Sequence, residues 1–127
     1  MKKLKITERG YAGHFCASSL CRFKRNTLIE YGNKRIVVST VGNYNPPKIG
    51  LEKLDKSKKI HEIGINRTYE TMAFEAQFIK PYWEADVTKE IPFKSNWALS
   101  ELEHGTDLLA DEMHDKVVKE LSKKIVK

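Results

Sequence analysis

The sequence predicts an α+β fold in which an antiparallel β-sheet core of five or six strands carries a long C-terminal helix packed on it. Two β-rich runs flank a Gly32-Asn33 pair that is typical of a tight hairpin turn. Later runs alternate polar and apolar residues, and the final twenty residues carry one apolar stripe at helical spacing. A chain of 127 residues is long enough for one hydrophobic core, so we expect a single domain over residues 1–127.

The first predicted elements are an edge strand and a central hairpin. Residues 2–7, KKLKIT, alternate weakly, and lysines on such a strand discourage edge-to-edge aggregation. Residues 8–21 are rich in Gly, Ala and Ser and predict irregular structure. The hairpin strands are expected at 26–31 and 34–41, and their apolar residues on both faces indicate a central pair covered on each side.

The second half of the sheet follows a long loop, in which Pro46-Pro47 forbids helix. A long strand is expected over 65–78 and another over 81–87. A further short strand is expected at 90–93, EIPF, where Pro92 restricts it to a sheet edge or a strand end.

The C-terminal helix is the clearest element in the sequence. Thr106 is the expected N-cap and Asp107 lies in the first turn. Acidic residues come early and lysines late, which matches the helix dipole. The stripe predicts a face buried in the core or in a dimer seam, and its residues lie four apart: Leu109, Met113, Val117, Leu121 and Ile125.

The charge is distributed unevenly along the chain. Residues 1–67 contain 15 Lys and Arg against 5 Asp and Glu, a net +10, whereas residues 68–127 contain 8 against 12, a net −4. Such asymmetry is typical of a protein with an anionic partner, such as nucleic acid or a nucleotide. It is equally compatible with attraction between the two halves within the fold or between subunits.

Several classes of site are disfavoured by the sequence. No apolar run approaches the roughly 20 residues of a membrane span, and the N-terminus has no apolar signal region, so we expect a cytoplasmic protein without a membrane partner. Cys16 and Cys21 have a Cys-x4-Cys spacing outside the usual zinc pairs and are expected to be free thiols, so no metal is predicted. Phosphate-loop motifs are absent, and no cofactor is predicted.

Catalysis has only weak support. His14 and Cys16 stand two apart, but no orienting acid is evident near them. Paired carboxylates such as Glu84 and Asp86 are more typical of a solvated strand face. We therefore predict that the protein is not an enzyme, with a small nucleotide hydrolase or cyclase using His14 or His104 as the catalytic alternative.

The strongest chemical signal is a combination of cations, carboxamides and aromatic rings around the hairpin. Arginines can fork onto phosphate oxygens, asparagines can read base edges, and aromatic rings can stack on bases. Solvated arginines and core aromatics are the alternative for any single residue. The residues predicted to bind a ligand are Arg22, Arg25, Asn26, Asn43, Arg67, Tyr69, Thr71, Trp83 and Trp97.

Three stretches carry a resemblance to a known family: RGYAGHFCASSLCRFKRNTLIEYGNKRIVVSTVG, YETMAF and DEMHDKVVKEL. Together they span about residues 8 to 121 and resemble the Thoeris anti-defence proteins of bacteriophages. That resemblance implies a β-sheet core with helices, homo-oligomeric assembly, and binding of cyclic ADP-ribose isomers or cyclic oligonucleotides without cleavage. The C-terminal helix here contains no arginine, which leaves in doubt any family contact that needs one there.

The functional expectation is therefore a viral protein that sequesters a cyclic-nucleotide-type immune signal in the host bacterial cytoplasm. The alternative is a basic phage protein that binds nucleic acid or inhibits a host nucleic-acid-binding complex. A purely protein-binding role is a further alternative, with the acidic helix face and the lysine-rich loop as docking surfaces.

Overall fold

The computed structural model describes residues 2–14, 21–44, 69–95 and 107–127. Five strands form one antiparallel sheet in the order β1-β2-β3-β4-β5, and a single helix of the described residues packs on it, which confirms the predicted α+β fold. The elements are β1 (Leu4–Arg9), β2 (Cys21–Tyr31), β3 (Lys34–Tyr44), β4 (Tyr69–Ile79), β5 (Tyr82–Glu90) and α1 (Asp107–Ile125).

The central hairpin is longer than predicted. Gly32 has φ of +61°, a left-handed conformation that suits glycine, and the strands on either side pair from Tyr31 and Lys34 to Cys21 and Tyr44. The sequence predicts only residues 26–31 and 34–41 because the outer part of the hairpin is rich in polar side chains. Those polar residues are nevertheless paired in the ladder.

Other boundaries shift, and one predicted strand is wrong. β1 covers 4–9 instead of 2–7, β5 covers 82–90 instead of 81–87, and β4 covers 69–79, while residues 65–68 lie outside the described part of the chain. The predicted strand at 90–93 does not form: Glu90 ends β5, and residues 91–94 have no regular structure. Ile91 N still donates to Ala73 O at 2.7 Å, but Pro92 has no N–H to continue a ladder, and Phe93 instead packs into the core.

The core lies between α1 and the sheet. Met113, Val117, Leu121 and Ile125 are each at most 4% exposed, so most of the predicted stripe is confirmed as a core face. They pack against one residue from each of the three central strands and against Phe93: Ile29, Val38 and Ala73. Burying a side chain of this size contributes roughly 1.5–3 kcal/mol, so this layer is the main source of stability on the helix side.

The other face of the sheet is covered by curvature of the sheet itself. Arg9 on β1 donates to Trp83 O on β5 at 2.5 Å, although β1 and β5 are opposite edges of the sheet. In a flat five-stranded sheet these edges would be about 19 Å apart, beyond the reach of an arginine. The sheet is therefore strongly curled, and a bulge between Phe74 and Ala76, where the β5 partner moves from Glu90 to Ala85, accompanies the bend.

Gly42 is required where β3 passes under an aromatic ring. A Cβ at Gly42 would lie 2.1 Å from Cδ1 of Tyr69, a residue that is only 2% exposed.

We expect Gly42→Ala to lower the free energy of unfolding by about 2–3 kcal/mol through overpacking, measured by urea denaturation. Gly10→Ala is the matched control, because nothing lies within 4 Å of its Cβ position. Equal stabilities of the two variants would contradict this packing.

Candidate functional site

The structure places the predicted ligand-binding residues on both faces of the sheet. Arg25, Tyr69 and Thr71 face α1. Arg25 and Tyr69 bond aspartates of the helix, and Thr71 bonds Thr40, which in turn bonds a histidine of the helix. Asn26 faces the opposite side, where its side chain bonds Arg9, whereas Trp83 contacts Arg9 through its backbone carbonyl. The described members of the set thus do not share one pocket. Arg67 and Trp97 lie outside the described residues, and the side chains of Arg22 and Asn43, in β2 and β3, are likewise not described.

Arg25 is surrounded by carboxylates on the helix side. Its guanidinium bonds both oxygens of Glu8 at 2.9 and 3.0 Å and reaches Asp115 at 2.8 Å and Asp111 at 3.3 Å. Burial alone would lower the pKa of Arg25, but the hydrogen bonds to Glu8 and Asp115 raise it above its ordinary value. A phosphate at Arg25 would have to compete with these carboxylates, so its role as a ligand contact stays a prediction.

His114 lies at the centre of a buried chain of hydrogen bonds whose direction can be deduced. Burial favours a raised pKa for Glu8, but bonds from Arg25 and Thr27 lower it, so Glu8 is an ionised acceptor. Thr27 Oγ1 must donate to Glu8 at 2.6 Å and therefore accepts from His114 Nε2 at 2.7 Å. The neutral ring then accepts at Nδ1 from Thr40 at 2.7 Å, and Thr40 accepts from Thr71 at 2.9 Å.

His114 should make stability depend on pH. Burial, helped by the nearby Arg25 charge, lowers the pKa of His114 to about 4, against about 6.5 when unfolded. As pH falls below 6.5 the unfolded chain binds the proton first, so the free energy of unfolding decreases between pH 6.5 and 4. The decrease amounts to about 2 kcal/mol at pH 5. Urea denaturation at pH 7 and pH 5 should show a smaller change for His114→Gln than for the parent protein. The same change in both proteins would contradict a neutral buried imidazole.

A second buried network lies on the face away from α1. His14 Nδ1 is 2.6 Å from Ser39 Oγ, and His14 Nε2 is 2.8 Å from Glu70 Oε1. This arrangement is similar to a catalytic triad, with the serine as nucleophile, the histidine as base and the glutamate as the orienting acid. However, Ser39 is fully buried, and Gly13 N donates to its hydroxyl at 3.0 Å. A Cβ on Gly13 would lie 2.9 Å from Ser39 Oγ, so the backbone of Gly13 covers the hydroxyl. This geometry favours a role in fixing residues 13 and 14 onto the sheet.

Arg9, which Asn26 holds in place, joins the two edges of the curled sheet. Arg9 Nε and Nη2 donate to Asn26 Oδ1 at 3.1 and 2.9 Å, and Arg9 Nη1 lies 3.8 Å from Glu84. Asn26 is fully buried, and within the described part of the chain its Nδ2 has no hydrogen-bond partner. The Asn26 oxygen already accepts from Arg9, so a base edge would have to compete for it. The role of Asn26 in reading a base edge stays a prediction.

A groove beside the second half of α1 is lined by six lysines, and none of them is among the residues that the sequence predicts to bind a ligand. Its volume is about 820 Å³, and we call it the lysine groove. Lys116, Lys119 and Lys123 are spaced three or four apart, so their side chains lie along one face of α1, and Lys127 follows the end of the helix. The lining residues are Pro92, Phe93, Lys94, Ser95, Lys116, Lys119, Glu120, Lys123, Lys124 and Lys127.

The opposite wall of the groove is held in place by Glu120. Its Oε2 accepts from Lys94 N and its Oε1 accepts from Ser95 Oγ, both at 2.7 Å. Burial favours a raised pKa for Glu120, but these bonds, with a contribution from Lys124, lower it. Glu120 therefore ties residues 94 and 95 to α1, and it is one ionised glutamate among six lysines.

The six groove lysines are available to a ligand. Among the described residues, ion pairs are made by Arg9, Arg25 and Arg35, and none is made by a lysine of the groove. Ammonium groups bind phosphate as point charges, and several on one surface favour a ligand with more than one negative charge. The lysine spacing on the helix is the only feature of the sequence that indicates this groove. The sequence does not show that residues 92–95 lie against the helix.

A smaller pocket of about 470 Å³ adjoins the lysine groove, because Lys124 lines both. Arg35, Lys34 and Trp83 line it, and the Arg35 guanidinium lies 4.1 Å from the centre of the Trp83 ring. Arg35 also bonds Glu30 at 3.0 Å. Of the described residues predicted to bind a ligand, Trp83 lines this cationic pocket, and Arg35 covers one face of its ring.

Within the described ranges, no group of three or more His, Cys, Asp and Glu residues is arranged to hold a metal ion. Cys16 lies outside those ranges, and so do His61 and His104. Among the described residues, α1 is not apolar enough to cross a bilayer.

Comparison of the chain with protein-family models, with curated proteins and with solved structures gave no match. The resemblance to Thoeris anti-defence proteins therefore stays an expectation. The lysine groove, with about 820 Å³, is larger than the two other cavities at the described surface, which have about 390 and 470 Å³.

Proposed function

We propose that this protein binds and holds a small phosphate-bearing signal of the cyclic oligonucleotide or cyclic ADP-ribose type without cleaving it. By withholding the signal from its receptor in the bacterial cytoplasm, it acts as a phage anti-defence protein. The observation that carries the proposal is the lysine groove, with six lysines that make no ion pair with other described residues.

The size and lining of the groove suit such a ligand. Sites for small molecules commonly enclose about 300–1,000 Å³, and the groove has about 820 Å³. Pro92 and the methylene stems of the lysines supply apolar surface against which a ring system can lie, while the ammonium groups meet phosphates. Because Glu120 already holds residues 94 and 95, little ordering is needed on binding, which favours affinity.

The described groove residues support binding in preference to cleavage. Both Glu120 oxygens accept hydrogen bonds, so this carboxylate is poorly placed as a general base. Ser95 donates its hydroxyl proton to Glu120, and among the described residues no imidazole bonds to it that could act as the base of a nucleophilic serine. What remains is a set of ammonium groups, which suits electrostatic capture.

Nucleic-acid binding is the second candidate, favoured by the linear arrangement of the groove lysines. From Lys116 to Lys124 the helix rises about 12 Å, enough to follow several phosphates of a strand. Binding of that kind weakens steeply with salt, with a log–log slope near −0.9 for each phosphate neutralised on duplex DNA.

Charge reversal in the groove tests the proposal. We expect the double variant Lys116→Glu/Lys119→Glu to weaken binding of cyclic di- and trinucleotides or cyclic ADP-ribose isomers at least tenfold, because two attractive charges become repulsive. Isothermal titration calorimetry measures this dissociation constant. The matched control is Lys5→Glu/Lys89→Glu, which changes the net charge equally at exposed lysines outside the groove and should bind as the parent does.

Recovery of the ligand separates sequestration from catalysis. Heat denaturation of the complex should release a ligand of unchanged mass, determined by mass spectrometry. A changed mass would indicate an enzyme, and salt-sensitive binding of long DNA alone would favour the second candidate. Parent protein that binds none of these small ligands would overturn the proposal.

A further inference from the structure

One end of the molecule brings together four separate segments. Pairing of Leu4 with Tyr31 places residues 2 and 3 beside the β2–β3 turn, and Lys2 approaches Gly32 closely enough to meet a Cβ there at 3.1 Å. Pairing of Ile36 with Glu75 places the β4–β5 turn at the same end. The last turn of α1 joins them, because Lys124 and Ile125 line one pocket with residues 33–36. We call residues 2–3, 33–35, 78–83 and 123–127 the basic end.

The charge of the basic end has a single sign. Its four segments contain seven lysines and one arginine and neither aspartate nor glutamate. The seven lysines are exposed: Lys2, Lys3, Lys34, Lys80, Lys123, Lys124 and Lys127. The acidic groups of the networks, such as Asp111, Asp115 and Glu8, lie toward the other end of α1. The molecule is therefore electrically polarised along the helix, and the basic end complements an anionic surface.

An apolar hairpin tip projects from the basic end. Phe78, Ile79 and Tyr82 are 55%, 54% and 64% exposed. Because Ile36 pairs with Glu75, the β2–β3 turn is level with residue 78, so residues 79–82 extend beyond it. Phe78 opposes Trp83 and Ile79 opposes Tyr82, so neighbouring side chains make both faces of the tip apolar. A protein partner docked against the tip would cover only one of its two faces. Insertion of the tip into an apolar layer would cover both faces.

We propose that the basic end docks peripherally on an anionic phospholipid bilayer, with the hairpin tip in the boundary between headgroups and acyl chains. The exposed lysines meet lipid phosphates around the tip, since basic residues beside apolar anchors are attracted to anionic leaflets. The sequence predicts no membrane partner because it contains no spanning segment, but peripheral docking requires none. This inference does not depend on the proposed function.

The aromatic rings of the tip favour lipid over single-stranded nucleic acid. Strand binding uses successive rings with open faces for bases to stack on. Here the Phe78 and Trp83 rings pack against each other at 5.2 Å between centroids, and Arg35 covers Trp83. Ile79 has no aromatic face at all. Apolar bulk is thus available to an acyl boundary, but a ladder of stacking faces is not.

Vesicle sedimentation tests the proposal with the full chain. We expect the parent protein to sediment with vesicles of phosphatidylglycerol and phosphatidylcholine and not with phosphatidylcholine alone. Ile79→Ser/Tyr82→Ser should lower the partition coefficient at least tenfold. The matched control is Val87→Ser/Leu108→Ser, at positions that are 61% and 69% exposed outside the basic end, and it should partition as the parent does. Circular dichroism and the melting temperature verify that both variants fold.

Charge variants distinguish the basic end from the lysine groove. Lys34→Glu/Lys80→Glu should also lose vesicle binding, whereas Lys116→Glu/Lys119→Glu should keep most of it, because those lysines lie outside the basic end. No sedimentation of the parent with anionic vesicles, or equal partition of the tip and control variants, would overturn the proposal. Binding of single-stranded DNA that requires the tip, without vesicle binding, would assign this end to nucleic acid and overturn it as well.

Discussion

Arg25 is the contact on which the arrangement of the described elements depends. Its guanidinium connects the edge strand β1 through Glu8, its own strand β2, and α1 through Asp111 and Asp115. The neighbouring chain through His114 fixes the same part of α1 to β2 and β3. Because α1 is one continuous helix, fixing its first half also decides where its lysine-rich second half lies. The lysine groove and the basic end are thus consequences of contacts made one to three turns away.

The arginines make contacts within the fold, whereas the lysines lie at the surface. Arg9, Arg25 and Arg35 each bond a carboxylate, a carboxamide or an aromatic ring within the fold. A planar guanidinium can hold two acceptors at once, while a strongly hydrated ammonium is less suited to such partly buried sites. The sequence predicts phosphate contacts for arginines because of this same forked geometry, but in the fold these three arginines have intramolecular partners. The groove lysines remain for an external anion.

The elements with strong periodicity could be predicted from sequence. The helix stripe and the Gly32-Asn33 turn depend on local spacing and local backbone conformation, and both are found as expected. The curl of the sheet could not be predicted, because Arg9 and Trp83 are 74 positions apart and meet only across the closed edges. Nor could the burial of Asn26, Ser39 and their neighbours, since such polar types usually mark surfaces and loops.

The same distinction explains what was visible of the functional surfaces. The lysine spacing on α1 can be read directly, but its meaning depends on residues 92–95, which leave the sheet at Pro92 and lie against the helix. Trp83 is recognisable as an aromatic residue, yet only the fold shows that Arg35 and Phe78 cover its ring.

Charge alone would give the two proposed surfaces little selectivity, because lysines attract any polyanion and salt screens that attraction. Selectivity has to come from contacts that salt does not screen. In the lysine groove these are the apolar floor at Pro92 and the fixed spacing that Glu120 imposes on the facing wall. At the basic end they are Ile79 and Tyr82, whose exposure has no structural benefit within the described fold. The two surfaces therefore share a sign of charge but differ in shape: one is a walled groove that can enclose a small molecule, and the other is a projection that can only enter something larger than itself.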